Sequence, residues 1–255
     1  MKKLLSIAVV TTLGLACAGG LEDSGGFEQD AGDFVLYWGD DEGYEDLAEW
    51  AQATMSYEEE YLNGIFKLPY DVPITHQVCG YENAYWDGEG ITLCYEMLEL
   101  IVNLFYNSGW DATDDEYEQL IYDSWVFILY HELGHGLIDV YDLPVPGREE
   151  DAVDAFSVVV LVDGGVPDTV VSAALFWLLL DDAGTGDLNF ADEHSMEMQR
   201  FYNLLCWVYG SDPGGYDYIP EYFPEMEGRL EGGRCEMEYE DQSDGWHTLL
   251  EDWYQ

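Results

Sequence analysis

Apolar residues recur along this chain in two rhythms. Over residues 44–62 they return every three or four positions, the repeat that turns one face of a helix toward a core. Shorter apolar runs at residues 34–38, 72–78, 83–86 and 91–95 read as strands; Asp87-Gly88-Glu89-Gly90 forms a turn between the last two, and Pro69 and Pro73 interrupt the chain near the second. Helical segments are predicted at residues 95–106, 114–140, 149–162, 167–181 and 193–209, each bounded by Gly, Pro or Asp. After Gly210 the chain is aromatic and acidic and predicts only short helices. The expected fold class is α+β, a small N-terminal mixed or antiparallel sheet followed by a mostly helical body. No internal repeat is present.

The first residues have a different character. Lys2 and Lys3 precede an apolar stretch at residues 4–15 and the small-residue site Ala16-Cys17-Ala18, the pattern of an export signal over residues 1–18, cleaved near Ala16 or Ala18. Leu15-Ala16-Cys17 also resembles a lipoprotein box, which leaves Cys17 open as a lipid attachment point. Residues 19–33 are Gly, Ser and acid and read as a tether, with residues 34–255 as a single domain. The expected location is outside the cytoplasm: periplasmic, extracellular or on the outer membrane as a lipoprotein. No later stretch reaches the 18 or so apolar residues of a membrane span; the longest, residues 169–180, has the length of a buried helix.

Composition narrows the partners. The chain has 54 acids against 7 Lys and Arg, a formal charge of -47, which excludes nucleic acid because phosphate binding needs Lys and Arg to displace counterions. Such a surface favours divalent cations and basic peptides. With 48% hydrophobic and 15% aromatic residues, the chain has the material for a core despite its charge. Besides Cys17 there are four cysteines, Cys79, Cys94, Cys206 and Cys235; in an exported chain they read as two disulfides. Of three pairings, Cys79 with Cys94 and Cys206 with Cys235 closes the shortest loops. A four-cysteine zinc site lacks the CxxC spacing it would need.

The sharpest chemical signal is His131-Glu132-Leu133-Gly134-His135, an HExxH run behind the apolar stretch at residues 125–130. On a helix, i and i+4 share a face, so both imidazoles can converge on one zinc while Glu132 faces a water as general base. Two histidines do not suffice for a catalytic zinc, so a third ligand is required. The metzincin extension fails, with Ile138 in place of its Gly and Tyr141 in place of its third His. Downstream, Glu150 and Asp154 share a helical face. This resembles the gluzincin arrangement, in which a Glu on a second helix completes the zinc site and an Asp four residues later holds the first histidine's free ring nitrogen. Glu150 is the preferred third ligand, with Glu149, Asp139 and Asp142 as alternatives. Acids in a first helical turn also simply complement the helix dipole. His194 is the expected oxyanion donor, with Tyr85 or Tyr202 behind it, and residues 83–86 offer an edge to which an extended peptide could pair. Arg200 and the other arginines are accounted for as ion-pair partners.

Taken together, the chain resembles a family of exported bacterial metallopeptidases inferred largely from motifs and catalogued mostly as a domain of unknown function. The resemblance spans residues 34–209 and is carried by Cys79-Gly80, Glu82-Asn83-Ala84-Tyr85, Ile91-Thr92-Leu93-Cys94-Tyr95-Glu96, the HELGH run, Gly147-Arg148-Glu149-Glu150-Asp151 with Asp154, and Asp192-Glu193-His194 followed by Gln199-Arg200-Phe201-Tyr202-Asn203 and Cys206. It implies a zincin-like body with an HExxH active-site helix, one Zn2+ per chain, and hydrolysis of a peptide or protein substrate by zinc-activated water with Glu132 as base. Two other classes compete: a non-catalytic zinc-stabilised binding module, and an acidic envelope protein that binds divalent cations.

Overall fold

Four short strands make one mixed sheet in the order β1-β2-β4-β3. The computed structural model describes residues 30–184 and 196–255; the expected signal segment 1–18, Cys17 and His194 lie outside the described residues. Strand β1 (Phe34–Trp38) pairs in parallel with β2 (Val72–Gln77), Phe34 facing Val72, and β2 pairs in parallel with β4 (Ile91–Cys94), Ile74 facing Ile91. Parallel neighbours need a crossover, and helix α1 (Glu45–Asn63) supplies the one between β1 and β2. Strand β3 (Ala84–Trp86) runs antiparallel to β4 as an edge of the sheet. All four residues of β4 are buried, Thr92 among them, as expected of a strand covered on both faces. On β2, His76 is fully buried against the rings of Trp38, Trp125 and Tyr95; burial pushes its imidazole down to about 3, so it is neutral.

Helices α2 (Tyr95–Asn107) and α3 (Asp114–Val140) follow. Thr113 and Glu116 form a reciprocal capping box that starts α3. Its second half is buried nearly all round, because α2, α4 (Glu149–Asp163), α5 (Asp168–Asp182) and the sheet edge at β3 and β4 pack on different faces. A helix so enclosed has no polar stripe, which accounts for the unbroken apolar stretch at residues 125–130. Buried Asp123 on α3 accepts hydrogen bonds from Thr169 (3.1 Å) and Ser172 (2.7 Å), which ties α3 to α5. Just past the end of α3, Tyr141 stacks on Trp253 at 4.0 Å and donates to the Lys67 carbonyl at 2.9 Å.

Helix α6 (Glu197–Ser211) packs against α5 and against α9 (Arg234–Leu250); between them lie the short turns α7 (Ile219–Tyr222) and α8 (Glu227–Leu230). Among the described residues no helix is long and apolar enough to cross a membrane. The α+β reading agrees with this architecture, and helix and strand positions up to α5 agree to within a residue or two. Helix α9 is a correction: only short helices were expected there, yet it has 17 residues. Its polar face hid it, since only Cys235, Trp246 and Leu250 are buried. Disulfides join Cys79 to Cys94 (Cα–Cα 5.5 Å) and Cys206 to Cys235 (5.1 Å), the short-loop pairing. The last residues of the expected tether run against the chain ahead of β2, with Ala31 and Gly32 donating to the Leu68 carbonyl.

Candidate metal centre

Two glycines let α3 approach its neighbours where the histidines sit. A Cβ on Gly134 would lie 2.8 Å from the Val153 side chain of α4, and one on Gly136 would lie 3.2 Å from the Trp86 ring of β3. The chain turns after α3 through Gly147, whose φ of +100° suits glycine, and α4 begins with the acids Glu149, Glu150 and Asp151. The first turn of α4 thereby lies against the HELGH turn of α3.

His131 and His135 stand one turn apart, their ring centroids separated by 5.1 Å. The Nε2 atoms of both point at the Glu150 carboxylate, at 3.1 Å from His131 and 3.4 Å from His135. One donor atom from each of the three residues lies within 4.8 Å of the others. Each Nδ1 is held from behind by a different carboxylate, His131 by Asp154 at 2.8 Å and His135 by Glu149 at 2.7 Å. Arg200 of α6 closes the network: its Nε donates to Asp154 at 2.8 Å, its Nη2 donates to the same carboxylate, and its guanidinium lies 3.6 Å over the Trp177 ring.

The electrostatics follow from this arrangement. Carboxylates only accept, so His131, between Asp154 and Glu150, holds a proton on each ring nitrogen. Burial alone would lower its pKa, but hydrogen bonds to Asp154 and Glu150 outweigh that and raise it to about 9. His135 is raised in the same way against its own burial. Burial pushes Glu150 up, yet the two imidazoles hold it well below the usual carboxylate range. Asp154, also penalised by burial, is brought down to about 2 by Arg200 and His131. A divalent cation placed among these donors would take over from the two Nε2 protons while leaving both Nδ1 hydrogen bonds intact. Two imidazoles and one carboxylate, with outer carboxylates orienting the rings, suit a first-row divalent metal.

Among the sequence-derived residues, the structure brings together His131, His135, Glu150 and Asp154. Glu132 is buried on the same turn and makes no side-chain hydrogen bond among the described residues. Asp139 instead accepts from the Trp86 indole at 3.0 Å, and Asp142 sits in the turn beyond α3 at a φ of 51°. Neither joins the donor group. The Tyr202 hydroxyl donates to Glu225 at 2.6 Å. Glu96 accepts from the backbone amides of Cys79 and Gly80, fixing the disulfide-closed loop that leads into β3. Two residues gain roles that spacing did not assign: Glu149, read mainly as dipole complement, holds His135, and Arg200 balances Asp154. Scarcity was the available signal for Arg200, since a buried cation in so acidic a chain needs a specific acid beside it.

Neither a curated protein nor a solved structure matches the chain. A family model does match, over residues 41–250, from ahead of α1 to the end of α9 and so across every residue of the donor group; its description is putative metallopeptidase, and the chain belongs to that family, DUF4344.

Proposed function

We propose that this protein is a zinc-dependent peptidase of the gluzincin type, acting outside the cytoplasm, with His131, His135 and Glu150 as the zinc ligands. Membership of the family implies a metal and a peptide or protein substrate. The observation that carries the zinc reading is the convergence of two Nε2 atoms and one carboxylate, each imidazole steadied through its Nδ1 by a separate acid. When bound there, zinc supplies Lewis acidity toward a carbonyl and toward water.

The chain's own residues supply the rest. Asp154 and Glu149 accept the Nδ1 protons, which leaves each Nε2 lone pair directed at the metal position and makes the rings better donors. Glu132 takes a proton from the attacking water and returns it to the leaving amine, so one carboxylate serves both halves of the hydrolysis. Arg200 keeps Asp154 ionised in a buried setting, and the Trp177 ring under the guanidinium keeps that arginine in place. His194 is kept as the proposed oxyanion donor. Export is supported by the pattern of residues 1–18 and by the two disulfides, which belong to oxidising compartments.

Metal analysis of the purified protein combined with a peptide-library cleavage assay tests this reading. One tightly held zinc per chain is expected, with cleavage that stops on chelation. Glu132→Gln should keep the zinc and lose turnover, because the amide preserves shape while removing the base. Full activity in a zinc-loaded Glu132→Gln protein would sink the mechanism.

A further inference from the structure

Along β2 the inward positions are Val72, Ile74 and His76, so an imidazole ends a stripe that is otherwise apolar. The ring is fully buried, and neither of its nitrogens has a hydrogen-bond partner among the described residues. Buried polar groups are nearly always hydrogen-bonded, so this imidazole is held by packing alone. Three rings enclose it. Trp38, its register partner on β1, stacks on it with ring centres 4.5 Å apart; Trp125 of α3 lies at 5.9 Å and Tyr95 of α2 at 6.4 Å. Tyr95 and Trp125 are fully buried, whereas Trp38 is partly exposed, so the way from the imidazole to water leads past Trp38. That tryptophan is the last residue of β1, an edge strand, and exposed Gly39 and Asp40 follow it.

These neighbours bring no charge to answer a proton on the ring. Leu93, the register partner on β4, is apolar, and Trp38 and Trp125 do not titrate. Tyr95 does, but burial and the nearby Asp41 push its hydroxyl up to about 12, so it stays neutral. Burial alone holds His76 down to about 3. A charged imidazole is tolerated only where it meets water or an acid, and Asp40 and Asp41 stand just beyond Trp38 in the chain. We propose that Trp38 is an acid-operated lid: protonation of His76 drives the tryptophan off the imidazole, and the end of β1 opens so that the imidazolium meets water and the carboxylates of Asp40 and Asp41. Closed, the ring takes a proton only near pH 3; open, it titrates near the ordinary histidine value of about 6.5. The open form binds more protons at every pH between these values. Its population therefore grows as pH falls, by about 10-fold between pH 7.5 and pH 5.5.

Nuclear magnetic resonance of the full chain tests the lid. The His76 ring, assigned by its loss in His76→Phe, should stay neutral in the folded parent from pH 7.5 down to about pH 5. Trp38→Ala, which removes the lid, should let the ring titrate near the ordinary value of about 6.5. Opening is read separately by hydrogen exchange of the Gly39 and Val78 amides, which donate to the carbonyls of His76 at 2.8 Å and Asp40 at 2.7 Å. Corrected for the intrinsic exchange rate, their protection should fall about 10-fold between pH 7.5 and pH 5.5 in the parent and stay level in His76→Phe. A ring that already titrates near the ordinary value in the parent overturns the lid. So does a ring that stays silent in Trp38→Ala, or protection as pH-dependent in His76→Phe as in the parent. Level protection in the parent overturns it as well, and that measurement needs neither variant to fold.

Discussion

Asp154 is 3% exposed and lies between two cations, the His131 ring and the Arg200 guanidinium. A carboxylate so buried is tolerable only when paired, and once a metal replaces the Nε2 proton the same pairing keeps the remaining His131 proton on Nδ1. Glu149 does the same for His135, but its side chain is 52% exposed, so water can replace it at little cost. This contrast orders three substitutions. Glu150→Gln should weaken zinc most, because it removes a donor. Asp154→Asn should weaken it about 10- to 100-fold, the usual penalty for losing the group that orients a ligand, and should also lower stability because Arg200 loses its counter-charge. Glu149→Gln should cost least. Zinc titration of the folded variants against a competing chelator measures the order, and Glu149→Gln costing more than Glu150→Gln would exchange their roles.

At the scale of elements, the centre depends on how closely α3 and α4 approach. Gly134 is the contact point, with Val153 where a side chain would go. Gly134→Ala should therefore destabilise by about 1–3 kcal/mol through overpacking, and should weaken zinc as well, since α4 carries Glu150 and must move away from α3 to make room. Val153→Ala added to Gly134→Ala should restore most of the zinc affinity, a coupling that chemical denaturation and zinc titration of the four proteins in the cycle would measure. Independent, additive effects would mean that Gly134 does not set the spacing. Much of this architecture was legible in the sequence. The HELGH face and the Glu150 and Asp154 pair lie within single helices, where spacing alone decides which side chains share a face. The directions of the strand pairs were not legible, because β2 pairs with both β1 and β4 across long crossovers. Arg200 lies 46 residues from Asp154, and no local periodicity links them. Helix α9 was missed because its stability comes from its packing on α6 and the Cys206–Cys235 bridge rather than from an apolar stripe of its own.

Across the whole molecule the dominant quantity is a formal charge of -47, which the fold does little to offset. Arg200 pairs with Asp154, while Arg229 and Arg234 share the single acid Glu238. Salt acts on both kinds of interaction with opposite signs, weakening attraction and repulsion alike. The buried Arg200 pair is shielded from solvent and loses little. The exposed Arg234 pair contributes little to begin with. Repulsion among the surface acids is solvent-exposed and numerous, so its screening should dominate. Raising sodium chloride from 0.1 M to 1 M shortens the screening length from about 10 Å to about 3 Å. The thermal midpoint should therefore rise with salt, by about 2–4 °C for each kcal/mol of repulsion removed from a chain of this size. Calorimetry with a chelator present throughout separates this from metal binding, since a metal stabilises only the chain that holds it. A midpoint that stays flat or falls as salt rises would show that the acids are compensated in the folded state, and that their crowding does not limit stability.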